Sequence, residues 1–283
     1  MKQIVVISGK GGTGKTMLTG AFAALAENKI MADCDVDAAN LYLLLHPEIK
    51  ERHPFKSGAV AKIDPALCIH CGQCSDACRF QAISSEFAVS PIACEGCGLC
   101  ARLCPVNAIH MKENTAGDWF VSETRYGPFV HAKLGIAEEN SGKLVAKVRQ
   151  IARELAEERK ADYVIVDGPP GIGCPVIASL SGIDLALIVT EPTLSGLSDA
   201  KRVIELAEHF EVPVQLVINK WDINPNAAED ITRFCGSKKV PVIGRIPFNR
   251  AVTESIIQGR TIVEHTNGAF REEFVKIWEA AKA

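Results

Sequence analysis

The chain has 283 residues, of which 47% are hydrophobic and 23% are charged, and its formal net charge is −3. This composition is ordinary for a globular protein, and the length suffices for one large domain and one small domain. The mild acidity gives no electrostatic reason to expect nucleic acid or an anionic membrane as a partner.

Short β-branched runs alternate with helical patterns along most of the chain. Strands are predicted at 3–8, 29–35, 162–167, 184–190, 213–219 and 241–247, and helices at 15–27, 141–160, 198–210 and 226–235. Apolar runs of this length are typical of strands that are buried on both faces. Their alternation with helices predicts parallel strands joined by crossover helices, which is a doubly wound, mostly parallel α/β sheet.

The first strand leads into the sequence GKGGTGKT at 9–16, which satisfies the pattern G-x-x-x-x-G-K-T and precedes a helix. Its glycines allow backbone N–H groups to turn toward phosphate oxygens, and the helix N-terminus adds its dipole. We expect Lys15 to reach the terminal phosphates and the Thr16 hydroxyl to hold Mg²⁺. The predicted nucleotide contacts of this loop are Gly9, Lys10, Gly11, Gly12, Thr13, Gly14, Lys15 and Thr16.

Lys10 makes this loop resemble the deviant Walker A motif of the MinD/ParA/nitrogenase-iron-protein superfamily of P-loop ATPases. The segment DCDVDAAN at 33–40 resembles the switch I of that superfamily, and DGPPGIG at 167–173 resembles its Walker B and switch II. The resemblance implies a homodimer with ATP between the subunits. In such a dimer, Lys10 of one copy reaches the nucleotide of the other and supplies a cation to the transferring phosphoryl group.

The same resemblance assigns further roles. It implies that Asp35 orients the attacking water and that Asp167 holds Mg²⁺ through water. The predicted catalytic residues are therefore Lys10, Lys15 and Asp35, and the predicted magnesium ligands are Thr16 and Asp167.

The sequence NKWD at 219–222 follows a predicted strand and supplies the candidate base contacts Asn219, Lys220 and Asp222. In the superfamily, the residue that corresponds to Asn219 contacts adenine. However, N-K-x-D is also the signature with which GTP-binding proteins read guanine. We favour ATP, and GTP stays open at this point.

The alternation of strand and helix is interrupted between residues 56 and 118, which hold eight of the 11 cysteines. Because we expect neither a secretory signal nor a membrane span, the protein should be cytoplasmic, and its cysteines should serve metal or redox chemistry. The spacing C-x₂-C-x₂-C-x₃-C occurs twice, 26 residues apart, at Cys68, Cys71, Cys74 and Cys78 and at Cys94, Cys97, Cys100 and Cys104. Three thiolates at this spacing suit one corner of a [4Fe–4S] cluster. Zinc is the alternative metal that such cysteines could bind.

This segment resembles a two-cluster bacterial ferredoxin, in which the fourth cysteine of each run serves the other cluster. The resemblance implies one cluster on Cys68, Cys71, Cys74 and Cys104 and another on Cys94, Cys97, Cys100 and Cys78. Arg79 departs from the pattern, since ferredoxins prefer proline after the fourth cysteine. We therefore predict a small α+β ferredoxin domain at 56–118, inserted into an ATPase domain formed by 1–55 and 119–283.

Three cysteines lie outside these runs. Cys34 and Cys235 are predicted to be small buried hydrophobes. Cys174 follows Asp167 at an offset comparable to that of a cluster ligand in the nitrogenase iron protein, but the chain lacks the second cysteine that such a site needs. At the C-terminus, 269–283 predicts an amphipathic helix of balanced charge, packed on the sheet rather than bound to a membrane.

These predictions combine into an ATPase, with ATP and Mg²⁺, that gates electron transfer through two [4Fe–4S] clusters to or from an unidentified redox protein. Two alternatives stay open. One is a positioning or regulatory ATPase, like MinD, whose clusters sense redox state. The other is an iron–sulfur carrier like the Mrp-type ATPases, which use a C-terminal C-x-x-C that this chain lacks.

Overall fold

The computed structural model describes residues 1–135 and 141–283, so residues 136–140 of the predicted ATPase domain lie outside the described part. The strands are β1 (Lys2–Ser8), β2 (Lys29–Asp33), β3 (Glu48–Ile63), β4 (Ile109–Thr124), β5 (Gly127–Leu134), β6 (Tyr163–Pro170), β7 (Leu185–Thr190), β8 (Val214–Asn219) and β9 (Val242–Ile246). The helices are α1 (Lys15–Leu25), α2 (Tyr42–Leu45), α3 (Gln73–Asp76), α4 (Leu99–Leu103), α5 (Ser141–Arg159), α6 (Cys174–Leu180), α7 (Leu194–His209), α8 (Pro225–Ser237), α9 (Ala251–Ile257), α10 (Ile262–His265) and α11 (Gly268–Lys282), with a 3₁₀ turn at Trp221–Ile223.

The described strands form one sheet in the order β3-β4-β5-β2-β6-β1-β7-β8-β9. The pairs β5–β2, β2–β6, β6–β1, β1–β7, β7–β8 and β8–β9 are all parallel. The predicted α/β fold with a mostly parallel sheet is confirmed. The carboxyl ends of β1, β2, β6 and β8 therefore meet at one edge of the sheet, where ligands bind in open sheets of this kind.

The central strand β1 has apolar side chains on both of its faces, and helices must therefore cover both faces of the sheet. Ile4, Val5, Val6 and Ile7 are all fully buried, although alternate side chains of a strand point to opposite faces. On one face, the core includes Phe22 of α1 and side chains of α11. On the other face, α5 contacts β2 and β6, and α7 contacts β7 and β1. The C-terminal helix thus packs on the core, as predicted.

The segment 109–134 differs from the prediction, which placed no strand there. Strands β4 and β5 add to the sheet beside β2, and only two residues connect them. A connection this short joins antiparallel neighbours. Many side chains of β4 are half-exposed and polar, so the strand lacks the apolar run that marks a strand buried on both faces.

The described chain divides into two compact units. The larger unit consists of Met1–Arg52, Trp119–Lys133 and Ser141–Ala283, and the cysteine-rich unit consists of His53–Asp118 with the described part of 134–140. Within the described residues, no helix is both long enough and apolar enough to span a membrane.

Candidate functional site

A cavity of about 520 Å³ opens in the larger unit where β1 ends and α1 begins. Gly11, Gly12, Gly14, Lys15 and Thr16 of the predicted phosphate loop line it. Lys15 is only 5% exposed. A buried ammonium group beside a glycine-rich loop and a helix N-terminus is a strong site for phosphate.

Two glycines of the loop are required by close approaches. Gly14 has φ 100°, and a Cβ there would lie 2.4 Å from the Asn219 amide nitrogen. Gly9 lies against α7, where a Cβ would lie 2.3 Å from the Cβ of Asp199. Larger residues at either position would displace the loop. Thr13 is buried, and its carbonyl oxygen faces the same Asn219 amide.

Asp167, in β6, is held by two threonines of α1. The Thr16 hydroxyl donates to Asp167 Oδ2 at 2.7 Å, and the Thr19 hydroxyl donates to Asp167 Oδ1 at 3.0 Å. Burial raises the pKa of Asp167 to about 6, although the two threonine hydrogen bonds and Lys15 oppose that rise. The oxygens of Thr16 and Asp167 form a donor set that Mg²⁺ prefers.

Asp33 organises the loop that follows β2. It pairs in register with Asp167 on the adjacent strand, and both residues are 1% exposed. Burial, and then the nearby Asp167 carboxylate, raise the pKa of Asp33 well above its usual range. The Asp33 carboxylate accepts hydrogen bonds from the backbone N–H groups of Asp35, at 3.0 Å, and Leu41, at 3.3 Å. Sequence reasoning gave this residue no definite role.

The loop fixed by Asp33 brings Asp35 and Asn40 to the cavity wall. Burial raises the pKa of Asp35, while the positive charge of Lys15 opposes that shift. The residue predicted to orient water therefore lies in the same cavity as the phosphate loop. Its role in catalysis stays a prediction.

Another part of the cavity wall is formed by residues at the end of β8 and after β9. Asn219 is buried, and its amide donates to Thr13 O at 2.8 Å, which ties this part of the wall to the phosphate loop. Asn219 and Lys220 line the cavity together with the apolar side chains of Phe248, Val252 and Ile256. Asp222 lies outside this lining, and its carboxylate accepts a hydrogen bond from the Phe248 N–H at 2.6 Å.

Lys10 of the phosphate loop also lies outside the cavity lining. Its ammonium group is 3.5 Å from Glu191 Oε2 and 3.4 Å from the Ser195 hydroxyl oxygen. The other carboxylate oxygen of Glu191 lies 2.6 Å from the ammonium group of Lys220. Sequence reasoning did not single out Glu191. The available signal was an acidic residue directly after the end of β7.

Residues 4–262 match the CobQ/CobB/MinD/ParA nucleotide binding domain family. The chain belongs to this family. Members include MinD, which is described as a cell division ATPase in Pyrococcus furiosus. The match covers the phosphate loop, the two buried aspartates and the segment after β8.

Individual relatives agree with this membership. An uncharacterized protein of Methanocaldococcus jannaschii is 37% identical over 226 residues, which are 78% of this chain and 79% of the relative. The septum site-determining protein MinD of Synechocystis is 26% identical over 270 residues, covering 92% of this chain and 81% of that protein. The structure of MinD from Pyrococcus horikoshii with Mg-ADP has a TM-score of 0.60 at 19% identity, over 99% of this chain and 95% of that one. This last likeness concerns the fold alone.

The internal sequence repeat of the cysteine-rich unit is matched by two equivalent backbone hydrogen bonds. Asp64 N–H donates to Ala108 O at 2.8 Å, and Ser90 N–H donates to Ala82 O at 2.8 Å. Asp64 corresponds to Ser90 in the repeat, and Ala82 corresponds to Ala108, so each copy donates to the other. The two copies are therefore related by an approximate exchange symmetry.

Two cavities in this unit are lined by exchanged sets of cysteines. A cavity of about 240 Å³ is lined by Cys78 of the first run and Cys94, Cys97 and Cys100 of the second. A cavity of about 20 Å³ is lined by Cys68, Cys71 and Cys74 of the first run and Cys104 of the second. Each cavity thus combines three cysteines of one run with the last cysteine of the other.

Backbone N–H groups point at three of these sulfurs. Ala82 N–H donates to Cys78 Sγ at 3.4 Å, and Ala108 N–H donates to Cys104 Sγ at 3.2 Å, at equivalent places in the two copies. The Cys94 sulfur accepts from Ala61 N–H at 3.5 Å. Hydrogen bonds of this kind tune iron–sulfur clusters. Among the described residues, no group of three or more His, Cys, Asp or Glu side chains could hold one metal ion.

Of the three remaining cysteines, two are buried and one is exposed. Cys34 and Cys235 are fully buried, as predicted, and burial raises the pKa of both thiols, that of Cys235 to about 11. Cys174 is exposed at the first position of α6, next to Gly142. Its role as a ligand between subunits stays untested.

Proposed function

We propose that this protein is a Mg²⁺-dependent ATPase that dimerises with ATP and couples its nucleotide state to electron transfer through two [4Fe–4S] clusters. The observation that carries the proposal is the exchange of cysteines between the two cavities. The same chain has both this arrangement, which suits two clusters, and the nucleotide cavity of a MinD/ParA-type protein. The domains would be 1–55 and 119–283 for the ATPase and 56–118 for the ferredoxin-like insert.

The nucleotide cavity supports ATP and Mg²⁺. Thr16 and Asp167 would hold the metal ion, Lys15 would contact the terminal phosphates, and Asp35 would orient the attacking water. The Pyrococcus horikoshii relative of the same fold was solved with Mg-ADP. Membership in the CobQ/CobB/MinD/ParA family supports nucleotide binding as such.

The position of Asp222 favours adenine over guanine. A guanine-reading aspartate must face the base with free acceptor oxygens, since guanine presents N–H donors to it. Here one oxygen of Asp222 is taken by the Phe248 N–H, and the residue lies outside the cavity lining. The wall offers apolar side chains and the Asn219 amide instead.

The cysteines that line the two cavities of the cysteine-rich unit support the binding of two clusters. Cys68, Cys71, Cys74 and Cys104 would hold one cluster, and Cys94, Cys97, Cys100 and Cys78 the other. When bound, such clusters supply one-electron transfer. Apolar walls, including Ile63 and Ile83, and N–H groups aimed at sulfur are the protein's means of setting the potentials.

The order of segments along the chain suggests how the two functions are connected. The loop of Asp35 and Asn40 is followed, after a short helix, by β3, which leads from the larger unit into the cysteine-rich unit. A nucleotide-dependent change in that loop is therefore close in sequence to the clusters. Allosteric coupling of this kind is reciprocal: if ATP binds the reduced protein more tightly, ATP must raise the reduction potential.

The experiment that tests the proposal is a redox titration of the anaerobic protein without nucleotide, with ADP and with a non-hydrolysable ATP analogue. We expect the potential of at least one cluster to depend on the nucleotide. A tenfold difference in affinity corresponds to about 59 mV for a one-electron couple. Lys15→Ala, which removes the phosphate contact, serves as the control that should lose the shift.

A second function is favoured by the MinD relatives. If the clusters have the same potential in all three nucleotide states, and electron transfer to a dye has the same rate, the protein is a positioning or regulatory ATPase. An ATPase rate that depends on a membrane or a polymer would then identify that class. Transfer of a cluster to an apo-protein would instead indicate a carrier.

A further inference from the structure

Glu191 holds two lysines from two different sequence motifs with one carboxylate. Oε2 lies 3.5 Å from the ammonium group of Lys10, and Oε1 lies 2.6 Å from that of Lys220. The Glu191 side chain is only 17% exposed, whereas both lysines are about one-third exposed. A partly buried carboxylate between two cations is a stronger contact than a surface ion pair, because water screens it less.

Without Glu191, the position of the Lys10 ammonium group would be electrostatically unfavourable for a cation. Its ammonium group donates to the hydroxyl of Ser195, in the first turn of α7. The N-terminus of a helix carries a partial positive charge, which repels a lysine placed there. Lys220 adds a second positive charge within reach of the same carboxylate. Glu191 is thus the group that makes this position favourable for Lys10.

We propose that Glu191 is a positioning residue that restrains Lys10 within its own subunit, away from the nucleotide, until the pocket is filled. The inference rests on the proposed function, in which Lys10 acts on the nucleotide of a second copy. Lys220 lines the nucleotide cavity, whereas Lys10 does not. A nucleotide that draws Lys220 toward itself changes the charge around Glu191, so occupancy of the cavity and the freedom of Lys10 are linked through one carboxylate.

The link has a structural basis on both sides. The Lys220 backbone N–H donates to the side-chain oxygen of Asn219 at 3.0 Å, and the Asn219 amide in turn donates to Thr13 O of the phosphate loop at 2.8 Å. Glu191 is held as well, because its carbonyl oxygen accepts a hydrogen bond at 2.8 Å from the N–H of Thr193, the residue that caps α7. Lys220 is therefore tied through Asn219 to the phosphate loop, and Glu191 is tied to the start of α7.

The test is the variant Glu191→Gln, which keeps the shape of the side chain and removes its charge. We expect Lys10 to be released, so that dimerisation with a non-hydrolysable ATP analogue occurs at about threefold to tenfold lower protein concentration, the range of a partly buried ion pair. Sedimentation velocity over a protein dilution series measures it. Glu208→Gln, which breaks an ion pair with Lys238 at the other end of α7, is the matched control and should leave the midpoint unchanged.

A double variant separates positioning from a structural effect. In a Lys10→Ala background, Glu191→Gln should have no further effect on dimerisation, whereas a structural role of Glu191 would still change it. If Glu191→Gln does not fold, Glu191→Asp, which keeps the charge on a shorter side chain, should give an intermediate shift. Dimerisation that is unchanged or weaker in the folded Glu191 variants, while Lys10→Ala weakens it, overturns this inference alone. If Lys10→Ala itself has no effect on dimerisation or turnover, the proposed function fails and the inference fails with it.

Discussion

The Thr16 hydroxyl donates a 2.7 Å hydrogen bond to the Asp167 carboxylate, which joins the start of α1 to β6 across 151 residues of sequence. The two predicted magnesium ligands are therefore already in contact. The contact also places a buried carboxylate beside a second one, Asp33, at paired positions of adjacent strands. The larger unit keeps this costly pair at the end of the sheet where the nucleotide cavity opens.

The first prediction concerns the cost of that pair. The folded-state pKa of Asp167 is about 6, above the ordinary value of 3.8, so the folded protein binds more protons than the unfolded chain between these pH values. Stability should therefore fall as pH rises through this window. Asp167→Asn should raise the free energy of unfolding at pH 7.5 by about 1–3 kcal/mol, with the gain shrinking toward pH 4.

Denaturant unfolding of the nucleotide-free protein at several pH values measures this gain, with the exposed Asp230→Asn as control. A gain that is the same at every pH would contradict the assigned pKa. Added Mg-ATP should stabilise the wild type and leave Asp167→Asn largely unchanged, because the variant lacks the carboxylate proposed to hold the metal.

The second prediction concerns Lys10. Lys10→Ala should lower ATP turnover by about 10²–10³-fold, because a cation that stabilises the transferring phosphoryl group is lost. Binding of a fluorescent ATP analogue should change little, since Lys10 lies outside the cavity lining. Comparing steady-state hydrolysis with equilibrium titration separates the two effects. Wild-type turnover in Lys10→Ala would argue against the ATP-sandwiched dimer.

The third prediction concerns the exchange of cysteines. Anaerobically prepared protein should contain about eight iron and eight sulfide per chain. Cys104→Ser should lose the cluster of Cys68, Cys71 and Cys74, and Cys78→Ser should lose the other one. Iron and sulfide analysis, with electron paramagnetic resonance of the reduced protein, distinguishes the two variants by the signal that remains.

Cys174→Ser is the control for those variants, because this exposed cysteine lies in the larger unit. It should leave the iron content per chain unchanged. Loss of the same signal in Cys104→Ser and Cys78→Ser would refute the exchanged assignment. Stoichiometric zinc without sulfide would refute the clusters altogether.

The fourth prediction concerns base selection. Asp222→Ala should weaken ATP and GTP binding by the same factor, because the aspartate accepts a hydrogen bond from the Phe248 N–H and lies outside the cavity lining. The ratio of ATP to GTP affinity should therefore stay constant and favour ATP. Isothermal titration with both nucleotides gives this ratio. A selective loss of GTP affinity would show that Asp222 reads guanine after all.

The fifth prediction concerns Asp33. Asp33→Ala should disorder the loop that carries Asp35 to the cavity, since two backbone hydrogen bonds are lost. ATP turnover should fall at least as far as in Asp35→Ala, and protease sensitivity should rise within 34–41. Hydrogen–deuterium exchange locates the change. Unaltered exchange in that loop would show that Asp33 does not organise it.

The sequence by itself determined the central sheet and the phosphate loop. Runs such as Ile4–Ile7 are apolar at every position, and only a strand covered on both faces satisfies such a run. The glycines and Lys15 of the loop likewise have one mechanical use after a strand and before a helix. The repeated spacing of cysteines also follows from local sequence. Their division into two sets, however, was predictable only through a resemblance.

The tertiary structure decided the rest, because the deciding contacts join residues that are distant in sequence. Many side chains of β4 are half-exposed, and only its pairing with β5, which lies beside β2, makes it part of the sheet. The role of Glu191 is visible only in the folded chain, where Lys10 and Lys220 of two other motifs form ion pairs with it. Asp222 shows the converse. Its motif fits guanine, but the Phe248 N–H, 26 residues later, donates to one oxygen of its carboxylate, and a local pattern contains no information about such a partner.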